Sequence, residues 1–204
     1  MLYELFPSII YKENITSEIQ DFDISKLGQF KIKEGHSIDN YVLDHKDTFV
    51  LKNILLKHIT IYTKNILEIS KDLEFYITRS WITQVEKNDG FGSSGLHNHE
   101  NSFFTAILYF NVEEESDSII FAKTKSHQYL SYEYEKINKF NQQAITFHPK
   151  KYDFIIFDAS LFHQAGPVIS HKTRNSLALE IFARGTFGKR NVGKAYNVGE
   201  LILK

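Results

Sequence analysis

The stretch GLHNHENSFFTAILYFN, residues 95–111, decides how the chain is read. His97 and His99 stand two apart, and a polar break at Asn101 and Ser102 leads into the apolar run that ends at Tyr109, Phe110 and Asn111. In extended backbone a period of two places both imidazoles on one face. Two imidazoles converging on one point suit a first-row transition metal. A hydrated loop that carries two histidines by chance is the plain alternative. His163 and Arg174, further along the chain, are what separate the two readings.

On either side of this stretch the pattern is mostly that of short strands. Leu73–Val85, LEFYITRSWITQV, is rich in β-branched and aromatic residues and closes at a turn cluster from Lys87 to Gly90. The glycines and serines from Gly90 to Gly95 make a loop directly before the histidines. No phosphate-binding glycine motif is present, so the loop reads as a turn that brings backbone close to a site. Beyond Phe103–Phe110, strands are expected at Ser118–Ala122, Gln128–Tyr134, Tyr152–Phe157 and Arg174–Phe182. Glu113 to Asp117 reads as a solvated acidic turn, and 135–149 as irregular. The basic, glycine-containing tail from Gly185 to Asn197 reads as a lid or as solvated surface. Residues 2–11, with Pro7, suggest an edge strand or arm. Val50, Leu51, Ile54, Leu55, His58, Ile59 and Tyr62 recur at spacings of three and four, which predicts an amphipathic helix from about Asp47 to Ser70. A helix-bearing first third followed by many short strands predicts a mainly β (α+β) sandwich or barrel with helices packed on one side.

Composition narrows the function classes. The 204 residues suffice for one domain with a sizeable core. Its expected parts are an arm and helical support over 1–72, a core over 73–184 and a tail over 185–204. With 17 Phe and 11 Tyr the chain suits pleated, half-buried surfaces. A net charge of −1 offers nucleic acid or an acidic membrane no attraction. The absence of cysteine excludes disulfides, zinc ribbons and thiolate nucleophiles. The N-terminus lacks the features of a signal peptide, and no apolar run approaches the ~20 residues of a membrane span. A soluble, cytoplasmic protein is the expectation.

On the last strand Arg174, Ser176, Ala178 and Glu180 share one face. A guanidinium and a hydroxyl turned into a barrel call for a carboxylate, and a small dicarboxylate would satisfy both. Pairing with Glu180, or exposure on an outer face, is the alternative for Arg174. Order and spacing then weigh: His-x-His, a third histidine at a strand end, then Arg-x-Ser.

With these residues in view, the sequence resembles the iron(II)- and 2-oxoglutarate-dependent dioxygenases, and within them the 2OG-Fe(II) oxygenase group with an H-x-H-x-N-S motif. The matching blocks are His97 to Ser102, Leu108 to Asn111, Phe154 to Phe157 leading to His163, and Arg174 to Ser176. Leu5 to Ser8 and Ser80-Trp81 are similar as well. The resemblance implies a double-stranded β-helix (jelly roll) that uses Fe(II), 2-oxoglutarate and O2. It makes His97 and His163 iron-binding residues and Arg174 and Ser176 the anchor of the distal carboxylate. Tyr109, turned by strand parity to the same interior as Thr105 and Ile107, reads either as a further contact to the cosubstrate through its phenol or as a buried tyrosine with some other partner. The resemblance also implies a hydroxylase of a protein residue, an amino acid or a small metabolite, with no catalytic side chain beyond the metal centre.

One departure stands out. The common triad is His-x-Asp/Glu…His, whereas here the position two after His97 is His99. Three readings are open: His99 as the third ligand, water in its place, or a nearby acid such as Glu100 or Asp89. His99 is the preferred reading, since Glu100 points away in a regular strand. A cupin-like metal enzyme is the first rival. It would need a glutamate four or five residues after His-x-His, where Phe103 and Phe104 stand, and it gives Arg174 and Ser176 no task. A non-catalytic jelly-roll binding module is the second. His36, His45, His127, His148 and His171 are expected at the surface or in turns, and His58 in the core.

Overall fold

The computed structural model describes residues 7–87, 95–123, 133–168, 173–187 and 201–203. These residues form two antiparallel sheets and one α-helix, the sandwich that the strand pattern predicts and the jelly-roll arrangement that the resemblance implies. In chain order the strands are β1 (Ile10–Asn14), β2 (Ile32–Lys33), β3 (His36–Ser37), β4 (Leu73–Val85), β5 (Phe104–Asn111), β6 (Ile119–Ala122), β7 (Ala144–Phe147), β8 (Asp153–Asp158), β9 (His163–Ala165), β10 (Arg174–Phe187) and β11 (Leu201–Leu203). The large sheet has the order β1-β8-β5-β10-β4-β3-β2, with β11 on β10, and the small sheet has the order β7-β6-β9.

Strand parity decides what each face of the large sheet touches. Ala106 and Leu108 of β5, Phe154 and Ile156 of β8, and Leu177, Leu179 and Ile181 of β10 all turn outward and are buried. Helix α1 (Phe49–Thr60) covers them with Leu51, Leu55 and Ile59, and its π-helical continuation (Ile61–Ile66) adds Tyr62. These are the residues of the predicted stripe, so the helix forms because the sheet needs one apolar face covered. Burying side chains of this size stabilises by about 1.5–3 kcal/mol each. The inner face presents the alternate residues. Ile107, Tyr109, Ile155 and Phe157 pack against Ile119 and Phe121 of the small sheet and close one end of the space between the sheets.

His58 lies on the buried side of α1, as expected. Its Nδ1 is 2.7 Å from the Tyr11 hydroxyl and its Nε2 is 2.9 Å from Glu18, which ties the helix to β1 and the segment after it. No helix among the described residues is long and apolar enough to cross a membrane.

Some elements differ from expectation. Ala144–Phe147, inside a segment read as irregular, is strand β7; it is an edge strand exposed along its whole length, so burial writes no alternation into its sequence. Strand β10 runs on to Phe187 instead of ending at Phe182. Gly185 permits this: its φ is +124° and a Cβ there would stand 2.0 Å from the Asp72 carbonyl oxygen. Of the expected lid, 185–187 are therefore strand, and 188–197 lie outside the described residues, as do most of the expected strand Gln128–Tyr134, the glycine loop before Gly95, Asp89, His127 and His171.

Candidate metal centre

The three histidines His97, His99 and His163 come together between the two sheets. Each offers a ring nitrogen, and these atoms all lie within 4.8 Å of one another. The backbone brings them there in pairs. His97 and His163 form an antiparallel bridge, each N–H donating to the other's carbonyl at 3.0 and 2.8 Å. The His99 N–H donates to the Ala159 carbonyl at 3.0 Å. Asn101, at φ 59°, then turns the chain into β5. The segment is extended at His97 and His99 without being a strand of either sheet, so the two imidazoles share a side as the period of two predicts.

Hydrogen bonding fixes the rings. His97 Nδ1 is 2.7 Å from the Gly95 carbonyl and His163 Nδ1 is 2.9 Å from the Leu161 carbonyl. A carbonyl only accepts, so in both rings Nδ1 carries the proton and Nε2 presents its lone pair. His99 Nδ1 is 3.2 Å from Glu180 Oε1, which orders the third ring in the same sense. Burial pulls the His163 pKa down to about 4 against the raising effect of its carbonyl partner, and the neighbouring His97 and His99 add to the depression. Burial likewise lowers His97. Neutral imidazoles with free lone pairs are the form that binds a metal.

Arg174, Ser176 and Tyr109 line the same cavity, which has a volume of about 100 Å³. Tyr109 shares the inner face of β5 with Thr105 and Ile107, as its parity predicts, and Ser176 pairs with Tyr109 across the β5–β10 register. Arg174 is 3% exposed, and its Nη1 donates to the carbonyls of Ser118 at 2.8 Å and Gly166 at 3.2 Å. The close approach of Gly166 makes this possible, because a Cβ there would stand 1.9 Å from Ser118 Oγ. Burial lowers the Arg174 pKa while Tyr109 and Asp117 raise it; burial raises the Tyr109 phenol, with Arg174 opposing.

The alternative pairing of Arg174 with Glu180 is not found, since Glu180 faces His99 and Arg79 instead. Asp117 corrects the reading of its turn as solvated. It is 1% exposed, its Oδ2 accepts from the Glu113 N–H at 2.8 Å, and its charge acts on both Arg174 and Tyr109.

His36 is the residue that sequence reasoning missed. Instead of lying at the surface, it is a half-buried part of the cavity wall, opposite Thr83 in the register, and burial lowers its pKa ahead of the effect of His97. No signal in the polar segment around it indicates that a two-residue strand joins the edge of the large sheet. Glu100 is exposed and stands outside the cluster. Of the two residues where a cupin would carry its glutamate, Phe103 packs against Phe182 with the rings tilted and Phe104 lies in the outer core.

Residues 79–180, half of the chain, match the family model described as "Putative 2OG-Fe(II) oxygenase". No curated protein matches the sequence. Among solved structures, the epimerase SnoN in complex with Fe3+, alpha ketoglutarate and nogalamycin RO is 11% identical, with a TM-score of 0.59 over 97% of this chain and 91% of that one. HygX from Streptomyces hygroscopicus, solved with nickel, 2-oxoglutarate and hygromycin B bound, is 10% identical, with a TM-score of 0.54 over 96% and 92%. An oxidoreductase of the 2OG-Fe(II) oxygenase family from Burkholderia pseudomallei is 12% identical, with a TM-score of 0.53 over 77% and 74%. At such identities these likenesses speak for the fold. The matched half runs from Arg79 to Glu180 and takes in all three histidines, Tyr109, Arg174 and Ser176, and by that match the chain belongs to the 2OG-Fe(II) oxygenase family.

Proposed function

We propose that the protein is a non-haem iron(II)- and 2-oxoglutarate-dependent dioxygenase that hydroxylates a small molecule or a peptide. The observation that carries this reading is the shared cavity. Three imidazoles, with their Nδ1 atoms tied back to Gly95, Leu161 and Glu180, face the same space as a buried guanidinium. His97, His99 and His163 would hold Fe(II) through Nε2, and Arg174, Ser176 and Tyr109 would take the distal carboxylate of 2-oxoglutarate.

The residues fit these groups. Three neutral nitrogen donors suit iron(II) and leave its other positions open. Thr105 Oγ1 is buried in the cavity wall with no hydrogen-bond partner among the described residues, so its bond falls to whatever the cavity holds. When bound, the metal and its cosubstrate supply the oxidising power: O2 and 2-oxoglutarate give succinate and carbon dioxide, and the substrate C–H becomes C–OH. The protein's own part is to fix the imidazole tautomers, bind the cosubstrate carboxylate and keep the apolar end of the cavity, with Ile107 and Ile119, free of competing ligands.

Anaerobic titration of the metal-free protein with Fe(II) and 2-oxoglutarate tests the proposal. The weak visible charge-transfer band of the chelated cosubstrate is expected. Iron binding without the band favours a cupin-like enzyme, and binding of neither leaves a non-catalytic module. Structures of this fold include an epimerase and a carbocyclase, so reaction type is decided by the product. A product one oxygen atom heavier than the substrate supports hydroxylation, and an isomer of the substrate overturns that part.

A further inference from the structure

Glu180 is an acidic side chain behind the cavity-lining His99, and the cosubstrate anchor has no use for it. It is buried, and its Oε1 lies 3.2 Å from His99 Nδ1 and 3.4 Å from Arg79 Nη1. The side chains of His99 and Glu180 are 10% and 12% exposed, so the contact is shielded from solvent. His97 and His163 rest on neutral carbonyls, and His99 alone of the three rests on a carboxylate.

The backbone beside Glu180 is irregular. The β4–β10 register shifts between Glu180 and Ile181, where β4 carries the extra residue Thr78. The Thr78 hydroxyl donates to the Glu180 carbonyl at 3.2 Å and holds the bulge. Bulges are common beside active sites, and this one directly follows the cross-strand pair of Arg79 and Glu180 on the cavity side of the large sheet. Arg79 is kept beside the carboxylate by the Trp81 ring, 5.3 Å beneath it, and the same ring lies 5.9 Å from His99.

We propose that Glu180 is a positioning residue for the metal: the negative charge that a His-x-Asp/Glu triad places on the metal itself is here moved one step outward, behind the third histidine. Three imidazoles carry no charge, so a divalent ion among them has no anionic protein ligand. A carboxylate accepting the Nδ1–H of His99 holds Nε2 toward the ion and raises the basicity of the ring. This inference rests on the proposed metal-binding role of the three histidines.

The test is anaerobic titration of the purified protein with Co(II) as a spectroscopic probe for iron, read from its visible absorption, for Glu180→Gln and Glu180→Leu. Loss of such an outer partner lowers metal affinity about 10–100-fold. Glu180→Gln keeps an acceptor and drops the charge, so it should fall at the low end of that range, and Glu180→Leu at the high end. In a His99→Ala background, titrated at higher cobalt concentration, Glu180→Leu should change the affinity less than about threefold, because the residue acts only through His99. Parent-like affinity in Glu180→Gln overturns the inference, as does a Glu180→Leu loss of full size in the His99→Ala background. Failure of the parent protein to bind cobalt at all refutes the proposed function itself, so the two failures are distinguishable.

Discussion

Replacing Arg174 with methionine separates cosubstrate binding from metal binding and from folding. The side chain is 3% exposed, and its Nη1 serves the carbonyls of Ser118 and Gly166. Hydrogen bonds to a charged group contribute about 1.5–3 kcal/mol each. Removing the guanidinium also takes away a positive charge whose field reaches the buried Asp117 and Tyr109. Losing both hydrogen bonds costs about 3–6 kcal/mol, against a total stability of about 5–15 kcal/mol for a domain. The variant should therefore unfold at clearly lower urea concentration and still be largely folded at 25 °C. For 2-oxoglutarate, losing a two-pronged charged contact of about 3–6 kcal/mol predicts about 10²- to 10⁴-fold weaker binding. Metal affinity should stay within about threefold, because none of the three histidines bonds to Arg174. Metal and cosubstrate dissociation constants, measured anaerobically on protein shown by circular dichroism to be folded, decide the matter. Folded Arg174→Met that binds 2-oxoglutarate as the parent does would refute the assignment of the anchor.

The remaining predictions address single contacts. His163→Ala should lose metal retention, measured as iron content after gel filtration, since it removes one of the three donors and keeps the backbone bridge to His97; unchanged iron content removes His163 from the site. Gly166→Ala should cost about 1–3 kcal/mol and weaken 2-oxoglutarate without touching the metal. Ser118 Oγ can rotate away from the new methyl, whereas the Ser118 Cβ at 3.1 Å and carbonyl oxygen at 3.2 Å cannot move without disturbing the acceptor of Arg174. Parent-like cosubstrate affinity in that variant would show that the carbonyl does not set the guanidinium. Glu18 has its carboxyl lowered, first by the hydrogen bond from Lys57 and also by His58. A carboxyl lowered in the folded state adds stability that is present above its unfolded value of 4.5 and lost as pH falls through the folded value. Urea unfolding at pH 5 and pH 3 should show a smaller drop for Glu18→Gln than for the parent, and equal drops would place the acid lability elsewhere.

Local signals in the sequence were sufficient for much of this molecule. The stripe from Val50 to Tyr62 specifies the helix, because an amphipathic repeat is written residue by residue. The alternation of Thr105, Ile107 and Tyr109 against Ala106 and Leu108 specifies which side of β5 faces the cavity. His-x-His, His163 and Arg174-x-Ser176 could be grouped as one site from their order and spacing, through the resemblance to the oxygenases. What only the tertiary structure decided are pairings across long stretches of chain, where no local pattern records the partner. Among these are β7 and the short β2 and β3, whose pairing costs too few residues to leave a signature, and His36, which reaches the cavity only because β3 joins β4. Asp117 reads as one more acid in an exposed turn until its carboxylate is found buried within the influence of Arg174 and Tyr109. Glu180 stands 81 residues beyond His99 in sequence and meets it only where β10 runs past the histidine segment. Local sequence sets which face a side chain takes, and which distant side chain it meets there is set by strand register, a property of the whole sheet.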